Sequence, residues 1–204
     1  MKKRTKVALK QSILVTVFLI SIFVIISYLS YEPPSKVEVD YPSISREVLD
    51  YQPLVEKYAR EYSVSNYVDV LLAMMMQESG GRGNDPMQSS ESYCGAVGCI
   101  DDPELSIKQG VYYFSQTLDA ANGDLELAIQ SYNFGKGFID YVLEHSQSYS
   151  QDIAIDFSKH MYENAPDQSI YSCLREEAKQ YNACYGDIYY VKSVMTYKEV
   201  ISAN

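Results

Sequence analysis

Tryptophan is absent from the 204 residues, and histidine occurs only at His145 and His160. Any flat aromatic platform must therefore come from the 20 Tyr or 6 Phe. Two histidines and no Cys-x-x-Cys spacing argue against a Cys/His zinc site, and no metal or organic cofactor is expected. Positive charge is scarce beyond the N-terminus. Of 17 basic residues, Lys2, Lys3, Arg4, Lys6 and Lys10 precede residue 30, leaving 12 against 27 acidic residues, a net of −15. Without a basic cluster, that balance argues against nucleic acid as a partner and favours a neutral or zwitterionic target. Sustained polar–apolar alternation and internal repeats are also lacking, so neither a mostly β fold nor a repeat array is expected.

What is present begins with an uncharged 17-residue run, residues 13–29, behind the basic flank. That is near the short limit for a membrane-crossing helix. The flank predicts a cytoplasmic N-terminus over residues 1–12 and an extracellular remainder. No Ala-x-Ala-like site follows, and Tyr31-Glu32-Pro33-Pro34 comes instead, which favours an uncleaved anchor over a signal peptide. Residues 30–43, with Pro33, Pro34 and Pro42, read as an extended tether. Residues 44–204 suffice for one domain with a substantial core.

That domain is patterned as mostly α. Leu54, Val55, Tyr58 and Tyr62 share one helical face after Pro53. Asp102-Pro103-Glu104 has the form of an N-cap with proline at the first helical position, followed by Ile107, Val111, Phe114 and Leu118 at helical spacing. Leu125, Ala128, Ile129 and Tyr132 make the next stripe, and helices are expected over 138–144, 152–162 and 188–197. Residues 79–101 read as one long Gly- and Ser-rich loop, of a length that is usually functional. Cys94, Cys99, Cys173 and Cys184 make an even count in an exported chain, which suggests two disulfides. Three connectivities exist; local pairing, Cys94 with Cys99 and Cys173 with Cys184, is favoured because each pair brackets a turn-like segment.

Residues 68–76 are apolar on nearly every side, as in a helix at the centre of a domain. Met74, Met75 and Met76 are read as core filling. The helix ends in Gln77-Glu78-Ser79-Gly80-Gly81. A carboxyl at Glu78 would meet apolar packing and the negative end of the helix dipole, both of which favour its protonated form. A general acid working near neutral pH requires that form.

Glu78-Ser79-Gly80 is followed in order by Met87-Gln88-Ser89-Ser90-Glu91-Ser92, Ser131-Tyr132-Asn133-Phe134-Gly135 and Tyr189-Tyr190-Val191. This succession resembles the goose-type lysozyme and lytic transglycosylase superfamily. It is most similar to the Gram-positive, membrane-anchored lysozyme-like subfamily that includes the muramidase domains of conjugative-element wall hydrolases and the pneumococcal vaccine antigen A type. The resemblance covers residues 50–200. It implies a lysozyme-like domain facing the cell wall, with peptidoglycan strands as substrate. Glu78 would be the acid that protonates the glycosidic oxygen between N-acetylmuramic acid and N-acetylglucosamine. Ser79, Met87, Gln88 and Ser89 would line the sugar cleft, while Tyr132 and Asn133 would hold the glycan, Asn133 by bonding an acetamido or hydroxyl group. Tyr189 or Tyr190 would orient the acid from below.

One departure matters. Asp85-Pro86 stands where the family has Gly-Leu before Met-Gln. A water-positioning carboxylate would come from Asp85 or Glu91, with Asp101 and Asp102 also nearby. Hydrolysis and transglycosylation both remain open, because only an inverting hydrolase needs a second carboxylate with room for water between the two. Two other classes compete. A Cys94/His145 thiol peptidase would need a free thiol at Cys94, and a glycan-binding scaffold would keep the fold without turnover.

Overall fold

A computed structural model describes residues 14, 16–17, 20–23, 43–146 and 148–203. The chain divides into two units, residues 1–40 and 41–204. In the first, the described residues are helical, and Leu14, Val17, Ile20 and Phe23 are exposed. The anchor expected over residues 13–29 lies mostly outside the described residues. Among those that are described, no helix is long and apolar enough to cross a membrane. The expected tether also falls outside them, apart from residue 43.

In the second unit the described elements are helices. In chain order they are α1 (Arg46–Asp50), α2 (Gln52–Glu61), α3 (Val68–Glu78), α4 (Ser90–Cys94), α5 (Pro103–Ala120), α6 (Leu125–Phe134), α7 (Gly137–His145), α8 (Gln151–Glu163), α9 (Glu176–Lys179) and α10 (Tyr190–Ser202). Helix α3 is the axis. Val70, Leu71, Leu72, Ala73, Met74 and Met75 are all buried, so neighbouring helices cover it on every side. Its main neighbour is α10, with α2 and α1 beside it. Truncating Leu71 or Leu72 to Ala in such a site costs about 2–5 kcal/mol. Helix α6 packs on α5, α7 and α10, closing the core around α3.

Caps fix where the helices start. The Asp102 carboxylate accepts from Leu105 N at 3.0 Å and the Asp124 carboxylate from Leu127 N at 3.1 Å. Each satisfies one of the orphan donors of a helix N-terminus. At its far end α3 stops at Ser79, whose N–H reaches back to Met75 O, and the chain turns away at Gly80. The terminus of the buried helix is thereby delivered to the surface with Glu78 as its last residue.

The expected loop over residues 79–101 is interrupted. Helix α4 makes one turn within it, because Ser90 is anchored by Asp85 and Gly95 adopts a left-handed C-cap (φ 76°). Both expected disulfides are formed, Cys94–Cys99 and Cys173–Cys184. The first closes the loop that follows α4, and with Cys94 bonded no thiol is available for a peptidase dyad.

Candidate active site

Glu78 lines a cleft of about 480 Å³ together with residues of the 85–97 segment and helix α6. Tyr190, fully buried at the start of α10, donates its hydroxyl to Glu78 Oε1 at 2.6 Å. Burial pushes the Glu78 carboxyl up to about 7. The Tyr190 hydrogen bond holds it down in part, while the charges of Asp85 and Asp187 push it further up. A carboxyl so raised keeps its proton far closer to neutral pH than an ordinary one, which suits proton donation.

Asp85 is the opposite case. Its Oδ1 accepts from Ser89 N at 2.9 Å and Ser106 Oγ at 2.6 Å. Its Oδ2 accepts from Ser90 N at 3.1 Å and Ser90 Oγ at 2.6 Å. Burial pushes this carboxyl up, but the Ser106 and Ser90 hydroxyls and the Ser89 and Ser90 amides together hold it below its ordinary value. A carboxylate offers about four lone-pair positions; these four close donors take them, and the Ser89 hydroxyl adds a longer contact to Oδ1 at 3.4 Å. Ser106 completes the bracket: it is fully buried on α5, and its hydroxyl also accepts from Met87 N at 3.0 Å. Asp85, in place of a small apolar residue, thus ties the 85–90 segment to α5.

Several expected contacts take a different form. The Met87 side chain is fully buried in the core, so it cannot line the cleft. Its carbonyl instead accepts from the Tyr132 hydroxyl at 2.8 Å. This packing requires Gly110 on α5: a Cβ there would lie 2.6 Å from Met87 Cβ and 2.9 Å from the Tyr132 hydroxyl oxygen. Ser89 is also buried, its hydroxyl bonded to Ser106 O, and so faces the protein rather than the cleft. Ser79 braces the loop by donating to Pro86 O and accepting from Gly81 N. Of the two late tyrosines, Tyr190 meets the acid. Tyr189 lies instead beside Arg175 and Lys192, lining a separate cleft of about 450 Å³.

The remaining expected residues do line the cleft: Gln88, Glu91, Tyr132 and Asn133. Gln88 adopts a positive φ (47°), uncommon for a residue with a side chain, and its amide donates to Asp85 O at 2.7 Å. Glu91 is exposed, with no hydrogen bond or ion pair from its side chain among the described residues. Tyr113, Tyr185 and Val97 also line the cleft but were not expected. Tyr113 falls off the Ile107, Val111, Phe114 and Leu118 stripe of its own helix, a signal available in the sequence. Tyr185, close to the second disulfide, and Ser106, on the apolar face of α5, carried none.

The comparisons with known proteins follow this geometry. The pattern of the lysozyme-like family matches residues 45–198. An uncharacterized membrane protein, YocA of Bacillus subtilis, is 38% identical over 95% of this chain and 89% of its own length. The bifunctional muramidase/DL-endopeptidase CwlT of B. subtilis is 39% identical over 78% of this chain, which spans only 44% of that protein. A crystal structure of a lipoprotein-like protein of the NLP/P60 family from Staphylococcus aureus superposes with a TM-score of 0.67 at 39% identity. That match covers 76% of this chain and 54% of the other. Pneumococcal vaccine antigen A of Streptococcus pneumoniae is 30% identical over 70% of this chain. Matched over most of its length and mostly helical around a carboxyl-bearing cleft, the chain belongs to the lysozyme-like family.

Proposed function

We propose that the domain cleaves the β-1,4 bond between N-acetylmuramic acid and N-acetylglucosamine in peptidoglycan, with Glu78 as general acid. The observation that carries this reading is the setting of Glu78. It is a carboxyl lining a glycan-sized cleft, lifted to about 7 by burial and oriented by one buried tyrosine hydroxyl. The muramidase named among the relatives supports the substrate class. Tyr132 and Tyr113 offer aromatic edges to a pyranose, and Asn133 offers polar contact. The apolar N-terminal run holds the chain at the cell membrane with the domain facing the wall. A relative named as a membrane protein and aligned over 95% of this chain supports that placement.

For hydrolysis, the water-activating carboxylate is assigned to Glu91 rather than Asp85. Asp85 has its lone pairs filled by four protein donors and has none to offer a water. Glu91 lines the same cleft with its side chain unengaged. That saturation of Asp85 also favours a second reading, transglycosylation, in which the muramyl 6-hydroxyl attacks and no second carboxylate is needed.

The test is mass spectrometry of muropeptides released from purified peptidoglycan by the full chain in detergent. Reducing-end muramic acid supports hydrolysis, and Glu91→Gln should then lower the rate by roughly 10²-fold or more. Products lighter by one water, with Glu91→Gln active, establish transglycosylation. Release that is unchanged by Glu78→Gln would refute both.

A further inference from the structure

Asn133 faces the cleft, yet half of its amide is already used. Its Oδ1 accepts from Asp187 N at 2.8 Å. A backbone N–H can only donate, so this bond decides which way round the amide stands. The oxygen is engaged by the protein, and the NH2 group, with no protein partner among the described residues, is left for the cleft. The free half of the Asn133 amide is therefore its donor half.

What pins Asp187 lies further out. Asp187 is buried, and its carboxylate receives two parallel bonds from Arg175, Nε at 2.8 Å and Nη2 at 2.7 Å, together with Tyr189 N at 2.9 Å. Its carbonyl accepts from the buried Gln130 amide at 2.9 Å. Arg175 Nη2 also donates to Ser193 on α10 at 2.7 Å. The fork-shaped guanidinium thus joins three parts of the chain: the segment after Cys173, the segment after Cys184, and α10. Gly186 lets that segment approach, since its φ is 61° and a Cβ there would stand 2.7 Å from Asn133 Oδ1 and from the Phe134 ring. A buried carboxylate stripped of such a partner is strongly disfavoured, so the Asp187 segment would move.

We propose that Arg175 is a positioning residue which, through Asp187, holds the Asn133 amide with its NH2 toward the cleft, so that the site selects a glycan bearing an acetamido carbonyl as acceptor. The inference rests on the proposed peptidoglycan substrate. De-N-acetylated glycan, in its protonated form, presents an ammonium where the carbonyl stood, and an ammonium has no lone pair to accept from the Asn133 NH2. Arg175 itself touches no substrate in this scheme.

The test compares acetylated and chemically de-N-acetylated peptidoglycan as substrates for the full chain carrying Arg175→Met, Asn133→Ala or both. The ratio of kcat/KM between the two substrates cancels general losses. The wild type should favour the acetylated form by roughly tenfold, the worth of about one hydrogen bond. Each single variant should bring the ratio close to one, and the double variant should go no further. Arg175→Lys, which keeps the charge without the fork, should restore part of the preference and serves if Arg175→Met does not fold.

Equal losses on both substrates would make Arg175 merely structural and overturn the proposal, as would an additive double variant. The same ratio is read from binding of acetylated and de-N-acetylated soluble glycan fragments to Glu78→Gln protein by calorimetry. A retained ratio without any wild-type turnover would sink the catalytic reading and leave this one standing. Turnover without a ratio would do the reverse.

Discussion

Two carboxylates share one cleft and behave oppositely. Glu78 ends a helix that is apolar on nearly every face, and among the described residues its side chain has a single hydrogen-bond donor, Tyr190. Asp85 stands on a polar loop with four close donors, two backbone and two hydroxyl, and a fifth, the Ser89 hydroxyl, at 3.4 Å. The first is lifted to about 7 by burial, and the second is held below its ordinary value. The difference teaches that burial alone does not make an acid; the number of donors supplied on burial decides. It also divides the labour. Glu78 can give a proton at neutral pH, while Asp85 stays charged, braces the loop, and adds its field to keep Glu78 protonated.

The largest expected effect comes from removing the labile proton. Glu78→Gln keeps the shape and should lower kcat on peptidoglycan by roughly 10²–10⁴-fold. Muropeptide release is the measurement, with unchanged circular dichroism as the folding control. The partner experiment is Asp85→Asn. One Asn oxygen can still accept, but its NH2 would confront two donors, so stability should fall by about 1–3 kcal/mol. The urea midpoint reads this directly. An unchanged midpoint would mean the serine cage around Asp85 contributes nothing to the fold.

The stability of Glu78→Gln sharpens the contrast further. A folded-state value near 7 against an ordinary 4.5 means the native state binds the proton more tightly than the unfolded chain. Stability is then unaffected below about pH 4.5, falls as pH rises toward 7, and stays at the lower level above it. Glu78→Gln removes this loss, so the variant should exceed wild type by roughly 1–3 kcal/mol at pH 8 and match it near pH 4. Denaturant titrations at the two pH values check the sign. A gain confined to acid pH would show that burial does not dominate at Glu78.

The smallest effect is expected at Tyr190→Phe. The hydroxyl opposes the upward push of burial, so its loss should move the alkaline limb of the kcat/KM profile to higher pH, with a rate loss of about tenfold or less. A limb that does not move would make the Tyr190 contact incidental to the acid.

Much of the frame was legible before any coordinates. Asp102-Pro103 and Asp124 mark helix starts because capping is a local interaction between neighbours in sequence. The α3 helix and its terminal Glu78 stand out because an apolar run too short to cross a membrane is explained by burial within the domain. The short helices α1, α4 and α9 were not legible, since one helical turn has no periodicity to read and forms through tertiary anchors such as Ser90 on Asp85. Met87 and Ser89 were misplaced for a related reason. Alternate residues of an irregular loop face opposite ways, and no rule of spacing says which.

The sequence by itself determined an acidic, largely helical chain with a basic-flanked apolar N-terminal run, an even number of cysteines, and a carboxyl at the end of its most apolar internal helix. Each of these follows from composition or from neighbours within a few residues. Only the tertiary structure decided that Tyr190 rather than Tyr189 meets Glu78, that Asp85 is saturated while Glu91 is unengaged, and that Arg175 reaches Asn133 through Asp187. Those contacts join residues tens of positions apart, where geometry depends on how whole helices pack and no local pattern records it.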